Sequence, residues 1–287
     1  MKICFISEGE NLSVGSYRIH VNDLNNYFNR IGVESEIDPS RSGRENNDVH
    51  IYSKNVRISH NLNKSKINGI ITPNSDHKNL HQFDFAIVGS VEEKDSLMGK
   101  IKNIFLFPQI EDMYLNVEPK NHVKKKQIVI GYHGNSNHLN HLHLGLKGAL
   151  EKLKKDFNIS FKYTCSTNKQ WITGRPNFRC VYEKWNLKNI ISTIKTFDIG
   201  VVPNISEAEQ DIKMNTDLTK GLYNTDYKIR FKNKSNIGRL LVLAQCGIPI
   251  VADITPSNLH LLGNPDNGFA CLSEAGWFDA LYKLCKD

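Results

Sequence analysis

The sequence alternates short apolar runs with polar or amphipathic segments, and this alternation is the strongest constraint on its fold. In the first half of the chain the apolar runs are "KICFIS", "DVHIYS", "INGIITP", "FDFAIVGS" and "KNIFLFP". A helix is predicted from about Tyr17 to Arg30, where apolar residues recur at helical spacing. Brief continuous apolar runs separated by helices are typical of a buried, mostly parallel sheet. The chain is therefore predicted to be an α/β protein.

The alternation stops at a polar segment and then starts again. The segment from Asn116 to Gln127, "NVEPKNHVKKKQ", contains a proline and has no periodicity, which is typical of a linker. Beyond it come the strand "IVIGYHG", the amphipathic helix "HLHLGLKGALEKLKKDF" and the strand "ISFKYTC". Two doubly wound, Rossmann-like domains are predicted, at residues 1–118 and 128–287, with residues 119–127 as the linker. Because ligands of such sheets bind at the carboxyl ends of the strands, the site is expected in a central cleft that both domains face.

Composition and net charge limit the kinds of partner and the cellular compartment that we expect for this protein. The 287 residues carry a formal net charge of +7, and the pI is near 9.0. This charge favours polyanionic partners: nucleic acid, an acidic membrane surface or phosphorylated small molecules. The first residues enter a strand directly and no apolar run approaches a membrane span, so we expect a cytoplasmic protein. Peripheral contact with the inner face of an anionic membrane stays open. The six cysteines are scattered without a CxxC pair, which predicts reduced thiols and no zinc site.

A cluster of cations precedes one predicted helix. The stretch "YKIRFKNKSNIGRLLVLAQCGIPIVAD" places four cations ahead of an apolar helix and a buried strand, with no acid among them. A helix N-terminus presents free N–H groups and the positive end of the helix dipole, so neighbouring cations predict a phosphate site. The alternative is a solvated basic face in a chain that is basic throughout. The residues predicted to bind a donor diphosphate here are Lys232, Lys234, Ser235, Asn236 and, in support, Arg239.

Several segments resemble the group 1 glycosyltransferases, a family with the GT-B fold. The resemblance rests on "FDIGVVPN", "NIGRLLVLAQCGIPIVADITPSNLHLL" and "WFDALYKL" in the second half, and on "SVGSYRIHVNDLNNYFNRIGVESEI" in the first. It implies a nucleotide-sugar donor, retention of anomeric configuration and no essential metal or other cofactor. The chain departs from the family where two glutamates separated by seven residues are usual, because Lys234 and Val242 stand at those positions. Valine cannot accept a hydrogen bond from a donor ribose, so the glutamate motif is degenerate.

Two glycine-containing loops are further candidates for donor binding. Gly15 and Ser16 lie between the first strand and the first helix, where a backbone without a Cβ can approach a phosphate or sugar. A plain turn explains Gly15 nearly as well. In "GYHGNSNH" we expect Gly131 and Gly134 to allow a close approach and His133 or Asn135 to hydrogen-bond the donor.

Three other sets of residues leave two interpretations open. Arg18, on the first turn of the first helix, faces either the cleft or solvent. Asn204 and Glu207, beyond the strand at Val201–Val202, either contact the donor sugar or belong to a surface loop. His138 and His141 have the i, i+3 spacing of metal ligands, but no carboxylate or cysteine accompanies them, so no metal site is predicted.

The predicted catalytic pair is Asp76 and His77, which follow a strand of the first half in "TPNSDHKN". An Asp-His pair can orient or deprotonate an acceptor hydroxyl. The alternative is an Asx-turn followed by a surface histidine.

Taken together, these features predict a glycosyltransferase, hexosyl or related, in surface polysaccharide or glycolipid synthesis. The predicted partners are a nucleotide-sugar donor and a glycan or lipid-linked acceptor. The alternatives are a sugar-nucleotide epimerase of the same fold and a catalytically degenerate GT-B subunit that binds a partner. A nucleic-acid partner is not expected, because no recognised nucleic-acid-binding module occurs.

Overall fold

A computed structural model describes residues 1–40, 45–54, 56, 62–73, 79–108, 110–166, 174–204 and 237–287. The chain divides after Leu115 into two compact units, and the described residues 237–238 group with the first. Each unit is built on a six-stranded parallel sheet. The six cysteines all lie in described ranges, and none forms a disulfide.

The sheet of the first unit has the strand order β2-β1-β3-β4-β5-β6. Its strands are β1 Ile3–Ile6, β2 Ser35–Asp38, β3 Val49–Tyr52, β4 Ile67–Ile71, β5 Phe85–Val88 and β6 Asn103–Leu106. The predicted first helix is a continuous helical run made of α1 Gly15–Tyr17, a π-helical segment Arg18–Asp23 and α2 Leu24–Arg30. The remaining elements are α3 Val91–Leu97 and two short 3₁₀ turns, Leu80–Gln82 and Asp112–Tyr114.

Side chains that alternate along these strands form two apolar layers, one on each face of the sheet. Phe5 and Ile51 pack on one face with Val21 of the helical run. Ile6 and Val88 point to the opposite face. This two-sided burial explains why the strands are continuous apolar runs rather than alternating ones.

The sheet of the second unit has the order β12-β11-β10-β7-β8-β9. Its strands are β7 Ile128–His133, β8 Ile159–Cys165, β9 Cys180–Lys184, β10 Ile199–Val202, β11 Ile250–Asp253 and β12 Phe269–Cys271. The helices are α4 Leu146–Asp156, α5 Ile190–Lys195, α6 Gly238–Gln245, α7 Pro256–Leu262 and α8 Glu274–Lys286. Short 3₁₀ turns occupy Ser136–Leu139, Leu142–Leu144 and Pro265–Asn267. Among the helices that the structure describes, none has both the length and the apolar composition needed to cross a bilayer.

Hydroxyl side chains fix the starts of three helices. In each, a serine or threonine accepts a hydrogen bond from the backbone N–H three residues later, which satisfies one of the unpaired donors of the first turn. The pairs are Ser90 with Glu93 in α3, Thr255 with Asn258 in α7, and Ser273 with Gly276 in α8. The cap of α7 matters for the site, because it sets the position of Asn258.

The polar segment at 116–127 is attached to the second unit. The Lys120 N–H donates to the Cys246 carbonyl at 2.9 Å, and its ammonium group donates to Asp198 Oδ1 at 2.7 Å. Lys125 reaches the same carboxylate oxygen at 2.8 Å. Burial acts to raise the pKa of Asp198, but the hydrogen bonds from both lysines outweigh it and hold the pKa below its usual value. This partly buried ionic cluster anchors the segment next to the start of β10.

Candidate functional site

The second sheet reverses its strand order between β7 and β10. These strands are hydrogen-bonded neighbours, with Ile199 paired to Ile130, yet β8 and β9 extend the sheet on one side and β11 and β12 on the other. In open parallel sheets, ligands bind outside the carboxyl ends of the strands at such a switch point. Gly134 follows β7 and Asn204 lies two residues beyond β10. The topology alone therefore marks this edge as the candidate site.

Arg239, on the first turn of α6, is held at this switch point by neutral oxygen atoms. Its guanidinium donates to the Asn204 side-chain oxygen, to the Pro203 carbonyl at 3.2 Å and to the Tyr132 hydroxyl at 3.4 Å. The same group lies 5.8 Å from the centre of the Tyr132 ring, within the range of a cation–π contact. Arg239 is half-buried, and no carboxylate among the described residues forms an ion pair with it. A fixed positive charge is thus placed at the switch point without being neutralised by these partners.

Gly134 is required by this arrangement. Its φ of +133° lies in the region that favours glycine, and a Cβ there would meet Arg239 Cδ at 3.0 Å and the Tyr132 hydroxyl at 3.1 Å. Its N–H donates to the Thr164 carbonyl at 3.1 Å. The adjacent Asn135 carbonyl accepts from the Tyr132 hydroxyl at 2.7 Å. The structure therefore brings together candidate residues from two distant segments, Gly134 and Asn135 from one and Arg239 from the other.

A buried network supports Arg239 from behind. The Asn204 side chain is fully buried, and its backbone N–H donates to Asp253 Oδ2 at 2.6 Å. The other oxygen of Asp253 accepts from the Trp277 indole N–H at 3.0 Å, and Asn258 donates to the Asp253 carbonyl at 2.8 Å. The Asn204 Nδ2 group is buried and has no acceptor among the described residues. Leaving such a donor unsatisfied costs about 1–3 kcal/mol, so an acceptor placed beside it would be stabilising.

His133 is part of the site's framework. It is buried at the end of β7, and its Nε2 lies 3.2 Å from the Arg239 carbonyl, where it donates. Burial lowers the pKa of His133 to about 4, although the backbone contact acts in the opposite direction. The imidazole is therefore neutral at pH 7, and its ring nitrogen ties β7 to the start of α6.

The expectation that Gly131 allows a ligand to approach is wrong. A Cβ on Gly131 would come within 2.0 Å of the Phe197 ring. This glycine lies inside β7 and makes room for an aromatic side chain of the core. Val242, at one position of the family's glutamates, is 2% exposed and belongs to the buried face of α6. That position thus offers no hydrogen-bonding group to a ligand.

The other predicted residues fall in different places. Gly15 and Ser16 begin α1 of the first unit, and a Cβ on Gly15 would make only an ordinary contact, 3.9 Å from Arg18 Nη2. Arg18 is buried in an ion pair with Glu111 at 2.6 Å, so it does not face open solvent. The predicted residues that lie outside the described ranges are Asp76, His77, Glu207, Lys232, Lys234, Ser235 and Asn236. Within the described ranges, no cluster of three or more His, Cys, Asp or Glu residues could hold a metal ion.

Comparisons with known proteins gave matches in structure but none in sequence. No protein-family model and no curated protein matches the chain. A glycosyltransferase from Rickettsia africae ESF-5 is similar with a TM-score of 0.59 and 11% identity, over 99% of this chain and 88% of that one. An alpha-glucosyltransferase in complex with UDP and a 13-mer DNA containing a HMU base has a TM-score of 0.54 and 10% identity, over 100% and 90%. T4 phage BGT in complex with UDP and Mn²⁺ has a TM-score of 0.55 and 11% identity, over 100% and 90%.

At this level of identity the likeness concerns the fold. Each unit of the chain has a six-stranded parallel sheet with helices, as the alternation of apolar runs predicts. The matched proteins are aligned along 99–100% of the chain, so the likeness extends over both units. The chain has the α/β architecture of the GT-B fold.

Proposed function

We propose that the protein is a glycosyltransferase that binds the diphosphate of a nucleotide-sugar donor at the carboxyl ends of β7 and β10. One observation carries the proposal: the Arg239 guanidinium is held at the switch point by neutral oxygens, beside the buried Asn204 donor group. Similar structures that were solved with UDP support a nucleoside diphosphate as the ligand.

In this proposal, the positive charge of the site stabilises the leaving group of the sugar transfer. When the bond between the sugar and the diphosphate breaks, negative charge develops on the leaving phosphate. Arg239 and the N–H groups at the start of α6 provide positive charge and hydrogen-bond donors for it. Asn204 Nδ2 offers one further donor. Lys232, Lys234, Ser235 and Asn236 precede α6 in the sequence, and we propose that they complete the phosphate site.

In the first unit, we propose that Asp76 and His77 orient or deprotonate the acceptor hydroxyl and that Gly15 and Ser16 contact the donor. The acceptor is proposed to be a glycan or lipid-linked sugar in surface polysaccharide synthesis, with retention of anomeric configuration and no essential metal. The net charge of +7 supports contact with an anionic membrane.

A second candidate acceptor is nucleic acid. The similar alpha-glucosyltransferase was solved with a 13-mer DNA as well as UDP. The basic net charge of this chain fits such a partner equally well. Incubation with a labelled UDP-sugar and either duplex DNA or a lipid-linked glycan separates the two acceptor classes by where the label appears.

Two rivals predict different products from the same assay. A sugar-nucleotide epimerase would convert the donor without any acceptor. A degenerate subunit would transfer no sugar. The buried Val242 supports this alternative, because it stands where the family has a glutamate that binds the donor ribose.

The first experiment is a thermal-shift screen of nucleoside diphosphates and UDP-sugars. A ligand that binds only the native state raises the unfolding temperature. The best ligand then enters the transfer assay with both acceptor classes. A protein stabilised by none of these compounds would contradict the proposed function.

A further inference from the structure

The first unit contains an apolar pocket of about 300 Å³ that the donor site does not involve. This volume is at the lower end of the range for small-molecule sites, roughly 300–1,000 Å³. The pocket lies between the helical run, the sheet and the segment after β6. Its apolar lining includes Ile19, Leu24, Ile71, Ile87, Phe107 and Ile110.

The walls are fixed by polar contacts rather than by apolar packing alone. Glu111 is held by two hydrogen bonds from Arg18, at 2.6 and 3.0 Å. Asp112 pairs with Arg30 at 3.0 Å, and its N–H donates to Asp23 Oδ2 at 3.3 Å. These contacts hold the segment after β6 against the helical run. The pocket is therefore preformed, which lowers the entropic cost of filling it.

Large apolar side chains stay exposed around the mouth. Tyr27, Phe107 and Leu115 are 48%, 49% and 52% exposed. Single exposed apolar residues need no explanation, but a group of them at the mouth of an apolar pocket marks a place where apolar ligand surface would be buried.

The polar part of the lining includes two carboxylates, Asp23 and Asp112, together with Arg30 and His20. Arg30 forms its ion pair with Asp112, so among the described residues Asp23 is the carboxylate of the lining that has no ion pair with Arg30. Burial raises the pKa of Asp23, even though hydrogen bonds from Asn22 and the Asp112 N–H act to lower it. The carboxylate is thus less stabilised by its surroundings than by water, and a cation placed next to it would restore that stabilisation.

We propose that this pocket binds a small cationic amphiphile, with its alkyl chain or apolar ring inside the cavity and its ammonium group against Asp23. The apolar walls favour the alkyl chain or ring, and the Asp23 carboxylate favours a positively charged head group. The inference rests on the first unit alone and does not depend on the proposed function. The protein's net charge of +7 repels cations in general, so any preference for a cationic ligand must come from a local acidic site.

The probes are three ligands with the same chain and different head groups: n-octylamine, 1-octanol and octanoate. Calorimetric titration at pH 7 is expected to show octylamine binding at least tenfold more tightly than octanoate, with octanol between them. Asp23→Asn removes the charge and keeps one oxygen to accept from the Asp112 N–H, while the Asn22 amide loses its acceptor on this side chain. It is expected to reduce octylamine affinity by about tenfold and to leave octanol affinity unchanged.

Substitutions that fill the cavity test whether the ligands bind inside this pocket. Ile87→Phe adds volume inside the pocket and is expected to weaken all three ligands. Ile67→Phe is the matched control, because Ile67 is 51% exposed on the neighbouring strand and does not line the pocket. If Ile87→Phe does not fold, Leu115→Trp at the exposed mouth takes its place. Octanoate binding as tightly as octylamine, or octylamine affinity unchanged in the folded filling variant, would overturn the proposal.

Discussion

The two units each hold an arginine on the first turn of a helix, and the partners of these arginines differ in kind. Arg18 forms a two-bond ion pair with Glu111, and both side chains are nearly buried, at 9% and 12% exposed. Arg239 is held by a hydroxyl, a carbonyl and an amide oxygen. In the first case a carboxylate neutralises the positive charge, whereas in the second the described partners are all neutral, and we propose that the charge binds an external anion. The chemistry of the partners, rather than the residue type, is thus the basis for proposing Arg239 and not Arg18 as a ligand-binding residue.

The largest expected effect is a loss of stability when the ion pair between Arg18 and Glu111 is broken. Arg18→Ala leaves the Glu111 carboxylate buried without its partner, which typically costs about 3–5 kcal/mol. Urea unfolding measures the loss. Burial raises the pKa of Glu111 even though Arg18 acts to lower it, so much of the pair's attraction only offsets desolvation. The double replacement Arg18→Met with Glu111→Leu is therefore expected to recover most of the loss, and a loss below about 1 kcal/mol in the single variant would refute a structural role.

The second prediction concerns His133, which contacts the backbone of Arg239. Its pKa is about 4 in the folded protein and about 6.5 when unfolded, so the unfolded state binds more protons between these values. The stability that His133 contributes is present above pH 6.5 and is lost as pH falls toward 4, by on the order of 3 kcal/mol. His133→Gln should flatten the pH dependence of the unfolding free energy in this window. The exposed His122, replaced in the same way, is the control, and equal slopes in both variants would contradict the assignment.

The third prediction asks whether Arg239 binds the diphosphate alone. Charge-assisted hydrogen bonds contribute roughly 1.5–3 kcal/mol each, so Lys232→Ala and Lys234→Ala should each weaken UDP binding by about tenfold to a hundredfold. Lys124→Ala, in the exposed polar segment 116–127, is the matched control for loss of one positive charge. If both variants bind UDP like the parent protein, Arg239 acts without them and the phosphate lies nearer the loop at Gly134.

The smallest expected effect is that of chelation. If fixed cations neutralise the leaving diphosphate, transfer assayed in EDTA should retain most of its rate. T4 phage BGT was solved with Mn²⁺, so this assay distinguishes transfer that needs a metal ion from transfer that relies on fixed cations. Loss of activity in EDTA with recovery in manganese would show that a metal supplies charge that Arg239 does not.

The sequence predicted the architecture well because apolar continuity reports two-sided burial directly. Each apolar run of the first half contains a strand of the first sheet, and the alternation restarts with β7. The boundary between the units lies after Leu115, whereas the sequence placed the end of the first domain at residue 118. Contacts made by Lys120 and Lys125 are the physical reason that the polar segment groups with the second unit.

The site was predicted only in part, because residue spacing does not show which strands are neighbours. Gly134 and Arg239 were identified from separate motifs, but their contact depends on β7 lying beside β10. The supporting roles of Tyr132, Asp253 and Trp277 were missed for the same reason. A tyrosine next to the end of a mostly apolar strand and an aspartate at the end of another were the available signals.

Calorimetric titration of UDP into Arg239 variants tests the central claim most directly. Arg239→Ala is expected to weaken UDP binding by about tenfold to a hundredfold, and Arg239→Lys, which keeps the charge but not the planar donors, by less. Arg179→Ala removes an exposed arginine of the same unit, and Arg18→Met with Glu111→Leu removes the paired arginine of the other, so both should bind UDP like the parent protein. Folded Arg239→Ala protein that binds UDP as tightly as the parent would contradict the account.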